Sequence, residues 1–249
     1  MDRATNRCRY RVKYFDRELG KSVIYECPRQ AVTESGFCEF HDRDYWREHE
    51  EEVRSKFKEM IKSAQRKPEK LVCIGFNLPG VVVRGEFEEP VYFSFTEFHH
   101  KADFSDAKFH HKANFSGAKF YQLADFSYTV FNHEANFSGA KFYQLADFSY
   151  AKFNQLADFS YAKFHHKADF SDAKFNHEAN FSGAKFYQLA DFSYTVFNGR
   201  TEFIGTRLIF STSDYIKDKG IYDGLEHISF RDARFSKPSE VLFDRVYLG

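Results

Sequence analysis

Residues 113–132 read ANFSGAKFYQLADFSYTVFN, and the same twenty residues return at 179–198. Around this block a phenylalanine stands at alternating steps of 5 and 6 residues: Phe104, Phe109, Phe115, Phe120, Phe126 and onward to Phe203, with Leu208 as the last site. Two residues before each of the twenty sites is an alanine or a threonine, from Ala102 to Thr206. A small residue, one outward residue and a large ring form a packing rule. Rings at 5 and 6 steps do not follow a helical stripe, and Phe-Ser with Asn and Gly is poor helix material. No segment alternates long enough for a flat sandwich. Each Ala-x-Phe instead supplies a short extended face with both flanking side chains inward.

The unit is 11 residues and two units make 22. The block HHKADFSDAKF at 99–109 returns at 165–175, and both duplications are offset by 66, three times 22. Four faces joined by four corners therefore close one coil of about 22 residues. Alternate corners carry one extra residue, such as Lys101, Lys112 or Leu123, read as a bulge or a longer corner.

These motifs resemble the pentapeptide-repeat family, whose pattern A-(D/N)-(L/F)-x-x is matched by Ala113-Asn-Phe-Ser-Gly and Ala124-Asp-Phe-Ser-Tyr. The resemblance implies an all-β solenoid, a right-handed quadrilateral β-helix with the Phe and Ala sites inward. Upstream, Phe98, Phe93, Phe87, Val82 and Phe76 keep the 5 and 6 steps, which places the start near Ile74. Downstream the pattern breaks at 209–227 and resumes as Ile228-x-Phe230, Ala233-x-Phe235, Val241-x-Phe243 and Val246-x-Leu248. About seven coils stacked ~4.8 Å apart give a rod on the order of 35 Å long. Burying each ring contributes roughly 2–3 kcal/mol before chain entropy is counted.

The period stacks like on like. One outward column holds Asp103, Asp125, Asp147, Asp169 and Asp191; another holds Lys119, Lys141, Lys163, Lys185 and Arg207. A third reads Asn114, Asn136, Asp158, Asn180 and Glu202, and serines from Ser105 to Ser193 lie at corners. Each lysine precedes an aspartate by six residues, so pairing across the corner is expected to offset the like charges. Alternatively, one charged stripe docks a partner. The Asp stripe then resembles a phosphate strand, as in family members thought to protect type II topoisomerases. The pairs His99-His100, His110-His111 and His165-His166 read as solvated corners rather than a metal chain: Tyr121-Gln122 follows His99-His100 one coil on, and only His111, His133 and His177 share a column, interrupted by Gln155.

Residues 1–73 differ, with many charges and no Ala-x-Phe pattern. The strands RYRVKYF and SVIYE flank a turn at 18–21 and form a hairpin. Cys8 precedes the first strand and Cys27 follows the second, so a hairpin brings them together. Cys38-Glu-Phe-His41 is a two-ligand knuckle. Cys8, Cys27, Cys38 and His41 thus make a Cys₃His set sufficient for a closed, structural Zn2+ site; buried free thiols with a surface His are the alternative. Cys73 lies in an apolar run and reads as core. After His41, an amphipathic helix capped by Asp42 or Asp44 carries Trp46, Val53, Phe57, Met60, Ile61 and Ala64 on one face and ends at Lys67-Pro68. It is expected to cover the open first coil, whose strand edges would otherwise invite pairing; a partner-binding helix is the alternative.

The organisation read from the sequence is a Cys/His hairpin module at 1–41, a capping helix and linker at 42–73, and the β-helix at 74–208. An insertion loop at 209–227 and a C-terminal coil at 228–249 complete it. The small N-terminal module is α+β in character. The chain has 249 residues with 36 basic and 36 acidic side chains, a balance that does not mark a generic polyanion binder. The charged N-terminus lacks an apolar leader and no 18-residue apolar run exists, so a cytoplasmic protein without a transmembrane segment is expected.

There is no Gly-rich phosphate loop, nucleophile elbow or His-Glu-x-x-His, so no enzyme is expected. The first functional reading is a scaffold or protein–protein interaction module with an unknown protein partner. The second is a nucleic-acid role, through Asp-ladder mimicry or through the basic strand Arg3, Arg7, Arg9, Arg11 and Lys13. The chain also resembles proteins that place a Cys/His head before Phe-rich 11-residue repeats, some of which continue into membrane segments; it is then the soluble part of a longer membrane-associated protein. An uncapped last coil ending at Gly249 would suit a homodimer.

Overall fold

The computed structural model describes residues 6–16, 19–208 and 228–248. The expected insertion at 209–227, Arg3 of the basic strand and the terminal Gly249 lie outside the described residues. The chain opens with the antiparallel hairpin β1 (Arg11–Asp16) and β2 (Lys21–Glu26), in which Arg11 pairs with Glu26 and Asp16 with Lys21. Two helices follow, α1 (Tyr45–Glu48) and α2 (Glu50–Arg66). The expected single helix is interrupted at His49. Asp42 Oδ1 accepts the backbone N–H groups of Asp44 and Tyr45 and so starts α1.

The remainder is a four-sided parallel solenoid built from two-residue strands in four sheets of 8, 8, 7 and 7 strands. The first face runs from Leu71–Val72 to Val241–Leu242 and the second from Asn77–Leu78 to Tyr247–Leu248. The third runs from Val81–Val82 to Ile228–Ser229 and the fourth from Glu86–Phe87 to Arg234–Phe235. Positions 22 apart pair directly, as in Ala113 with Ala135 and Phe120 with Phe142. The strands resume after the insertion where the pattern placed them: Phe230 stacks on Phe192, Phe235 on Phe197 and Phe243 on Phe203.

The core explains the choice of phenylalanine. Along one column Phe115 and Phe137 are parallel within 1° at 4.8 Å, while Phe115 meets Phe126 of the facing column edge-on at 5.3 Å and 85°. Each such ring uses stacking up the rod and edge-to-face contact across it, and both are geometries favoured by the aromatic quadrupole. The small sites hold fully buried alanines from Ala102 to Ala190. Threonine fits there because its hydroxyl finds a backbone carbonyl acceptor, in three cases in the coil below. Thr129 donates to Phe104 O, Thr195 to Phe170 O and Thr206 to Phe181 O, each within 2.9 Å.

The corners are of two kinds. After faces one and three, two residues turn the chain and the second has positive φ, as at Gly117, Tyr128, Gly139 and Tyr161. After faces two and four, three residues turn it, as at His110-His111-Lys112, so the extra residue is a longer corner rather than a bulge. The Asp and Asn columns hold the two-residue corners shut. Asp103, Asp125, Asp147, Asp169 and Asp191 each accept the N–H of the serine two residues on, and Asn114, Asn136 and Asn180 do the same.

The first coil corrects the register read from sequence. Val82 pairs with Asp103 and is 64% exposed, whereas Val83 is buried beneath Phe104. Leu78, not Phe76, lies opposite Phe98, and Phe76 stands where later coils place a small residue. Cys73 falls opposite Phe93, in a ring column. Leu71 to Val91 spans 20 residues, so this coil is shorter than those above it. Its interior is filled partly from outside: Phe57 of α2 reaches Phe93 at 6.3 Å, and Phe40 stacks on Phe76 at 4.5 Å. The buried face of α2, with Val53, Phe57, Ile61 and Ala64, is continuous with the solenoid core. Arg54 Nε donates to Gly80 O at 3.3 Å and fixes the helix against the coil end.

Candidate metal centre

The hairpin register brings the segments that flank it together: Cys8 N–H donates to Arg29 O and Cys27 N–H to Tyr10 O. The turn at 38–42, with His41 and Asp42 N–H both donating to Cys38 O, aims Cys38 and His41 at the same point. The donor atoms of Cys8, Cys27, Cys38 and His41 all lie within 4.8 Å of one another, and all four residues are buried. All four members of the set read from sequence are therefore brought together.

The distances fit one tetrahedral ion. Zn–S near 2.3 Å and Zn–N near 2.0 Å imply ligand separations of about 3.8 Å between sulfurs and about 3.5 Å between sulfur and nitrogen. Cys27 Sγ lies 3.9 Å from Cys38 Sγ, and His41 Nδ1 lies 3.5 Å from Cys8 Sγ and 3.2 Å from Cys38 Sγ. The tautomer is set from the other side of the ring. His41 Nε2 is 2.8 Å from Ile74 O, a carbonyl that can only accept, so Nε2 carries the proton and Nδ1 presents its lone pair to the sulfurs. The backbone N–H groups of Tyr10 and Arg29 are directed at Cys8 and Cys27, where they favour thiolate.

Three sulfurs this close resist ionising together. The hydrogen bond with Cys27, then burial, push the Cys38 thiol up to about 12, and burial raises Cys8. Cys27, which takes the hydrogen bond from Cys38, is the one that moves down. A divalent cation inverts this balance because its charge offsets several thiolates at once. Four protein donors fill a tetrahedral shell, so the chemistry such an ion supplies is structural.

The outer shell ties the cluster to the rod. Tyr10 stacks on the His41 ring at 3.9 Å and 6°, and Phe76 meets it edge-on at 5.1 Å. Glu39, inside the knuckle, is held by Arg29 at 3.4 Å and by Lys56 of α2 at 3.5 Å. The Arg29 guanidinium also lies over Phe40, 4.6 Å from the ring centre. Sequence reading did not find Ile74, Tyr10 or Arg29 as supports. No spacing rule links them to the ligands, because their roles depend on how the head docks. Cys73, expected as core, is fully buried away from the cluster, and burial raises its thiol well above the usual range.

The surface columns resolve differently from the sequence expectation. The cations that reach the Asp column are Arg84 and Lys101 at Asp103, Lys101 again at Asp125, and Lys167 at Asp169 and Asp191. They sit on or beside the long corners and on the short first corner, not in the Lys119 column. The corner histidines join stacks: Trp46, His99, Tyr121, Tyr143, His165 and Tyr187 form one continuous column with ring spacings of 4.3 to 5.2 Å. Glu86, Glu88 and His110 also bring donors together, but hydrogen bonds account for them. His110 Nε2 lies 2.9 Å from Glu86, and its Nδ1 meets the Asn132 amide at 3.3 Å. That amide starts a ladder through Asn154, Asn176 and Asn198.

The fold and the buried donor set define a class: a four-sided parallel β-solenoid carrying a compact Cys/His head. Residues 104–207 match the family model for pentapeptide repeats, described as 9 copies, through overlapping segments 104–152, 126–174, 137–185 and 159–207. Residues 104–207 are therefore a run of pentapeptide repeats. No curated protein and no solved structure matches it. Among the described residues no helix is long and apolar enough to cross a membrane.

Proposed function

We propose that this protein is a non-catalytic scaffold whose rod displays surfaces to partner proteins and whose head is stapled by one structural Zn2+ held by Cys8, Cys27, Cys38 and His41. The observation that carries the metal assignment is the buried four-donor cluster with the His41 tautomer set by Ile74 O. The scaffold reading rests on the repeat: its rings and alanines are packed inside, and its ordered serines serve as corners rather than nucleophiles. Phosphate mimicry by the Asp column is less favoured. Those carboxylates are engaged by serine N–H groups and partly offset by Arg84, Lys101 and Lys167.

Metal analysis of the purified chain tests the head. One zinc per chain, lost on Cys38→Ser, is expected; substoichiometric zinc unaffected by that substitution would reject the assignment. For the scaffold, the native chain is expected to co-purify with a protein companion at fixed stoichiometry. Sedimentation of a lone chain after gentle purification, together with turnover of any added metabolite, would point to another class.

A further inference from the structure

We propose that the second face of the rod is a docking surface for duplex nucleic acid, gripping the phosphate backbone through Lys141, Lys163, Lys185 and Arg207. These residues pair in register on adjacent parallel strands and form one straight column with Lys119. At the strand spacing the four span about 14 Å. Lys119 is neutralised by Glu97 at 2.8 Å. Among the described residues, Lys141, Lys163 and Lys185 have no ion-pair partner, and Arg207 lies against Tyr247. In the Asp column Asp103, Asp125, Asp169 and Asp191 each meet a cation, whereas these three lysines meet no carboxylate among the described residues, so a chain of zero net charge carries an uncompensated cationic line. The neighbouring His165 reports the same field: burial, then Lys163 and Lys141, push its ring below the usual histidine range.

The opposite face does not match it. There Val130 and Val196 interrupt the lysines, and Lys108 is paired with Glu86. The flanks of the second face select the partner. On one side are the corners Ser138-Gly139, Ser160-Tyr161 and Ser182-Gly183, with the exposed Tyr161 ring lying against Gly183, and on the other is the aromatic column, whose rings stack on one another. Neither flank offers an anchor pocket for a protein side chain, and the one exposed ring, Tyr161, makes no platform on which successive unpaired bases could stack. What is left is charge on a rigid line. That suits a stiff polyanion read through its phosphates, with the counterion release and salt dependence such contacts bring. A flexible acidic peptide would lose ordering entropy on the same line and gain no anchor.

The test uses the full chain and a labelled 24-base-pair duplex of arbitrary sequence, followed by fluorescence anisotropy at 50 and 200 mM salt. Saturable binding at the lower salt is expected, weakening about 40-fold at the higher salt if three phosphates are neutralised. Lys141→Gln, Lys163→Gln and Lys185→Gln together should lower affinity at least about 10-fold and flatten the salt dependence. Lys108→Gln, Lys152→Gln and Lys174→Gln together should leave it within about twofold. Thermal melts of both triple variants verify that each is folded, and single Lys163→Gln serves if the first triple is not. Absence of saturable binding at 50 mM salt overturns the proposal, as does equal loss in both triples. Tighter binding of poly-glutamate than of duplex would also overturn it, in favour of an acidic protein partner.

Discussion

His41 Nε2 donates to the backbone carbonyl of Ile74 at 2.8 Å, so a residue of the head is fixed by the first coil of the rod. The hydrogen bond orients the ring whose other nitrogen faces three sulfurs. Head docking and metal geometry are therefore coupled. Removing the proposed zinc with a strong chelator should lower the melting temperature and loosen hairpin and knuckle together, seen as faster amide exchange at Cys8, Cys27 and His41. Unchanged exchange there after complete metal loss would separate the two.

Val82 and Val83 test the register of the first coil. Val82 points out at 64% exposure and Val83 is buried beneath Phe104. Val82→Asp should change stability by no more than about 0.5 kcal/mol, the usual range for surface changes. Val83→Asp should cost more than about 3 kcal/mol, because it buries an unpaired charge. Denaturant melts decide it, and the opposite order would restore the unshifted 5 and 6 pattern.

Phe137 sits mid-rod with stacked neighbours at 4.8 and 5.0 Å and an edge contact to Phe148 at 5.2 Å. Phe137→Ala should cost about 3–5 kcal/mol. Phe137→Leu should cost less, retaining most of the apolar area while losing the ring geometry. Equal costs in chemical denaturation would mean that the aromatic stacking adds nothing beyond volume.

Gly183 has φ +67, and a Cβ there would lie 2.7 Å from the Tyr161 ring; Gly139, at φ +64, has nothing within 4 Å. Both alanine substitutions meet the left-handed backbone penalty of about 1 kcal/mol. Gly183→Ala should cost more, and the excess should vanish in a Tyr161→Ala background. A double-mutant cycle reads that coupling directly.

Asp103 and Asp169 should make the rod acid-sensitive. Burial alone would raise both carboxyls, but Ser105, Arg84 and Lys101 at one, and Lys167 and Ser171 at the other, outweigh it and hold them below the usual range. A depressed folded pKa gives stability that is present above the unfolded value, near 4, and lost as pH falls through the folded value. Melting temperature should therefore drop below about pH 4. Asp103→Asn with Asp169→Asn should flatten that drop. Asparagine keeps the acceptor for serine N–H, as Asn114 and Asn136 already do. An unaltered pH profile in the double variant would place the acid sensitivity elsewhere.

Most of the rod was readable because its information is local and repeated. Ala-x-Phe states inward and outward positions within three residues, and the period of 22 then dictates which residues meet, as the pairing of Asp125 with Asp147 and Lys141 with Lys163 bears out. The four donors were readable for a related reason: a hairpin joins Cys8 to Cys27, and Cys38 and His41 share one turn. Reading failed where neighbours came from outside the repeat. At Phe76 and Val82 the 5 and 6 steps pointed to the wrong residues, because Phe40 and Phe57 of the head and helix fill part of the first coil. The charge pairing failed too, since side-chain reach across a corner favours Lys101 and Lys167 over the Lys119 column.

The sequence by itself determined the coil length, the ring columns, the stacking of like residues and which four Cys and His side chains cluster, all set by contacts between positions at fixed offsets. Only the tertiary structure decided that His41 presents Nδ1 rather than Nε2 and that most of the Asp column meets cations while Lys141, Lys163 and Lys185 meet no carboxylate among the described residues. It also decided that Trp46 and the corner histidines extend a tyrosine stack. Those outcomes depend on which flexible side chain reaches which partner when head, helix and coil are brought together, and no offset along the chain encodes that distance.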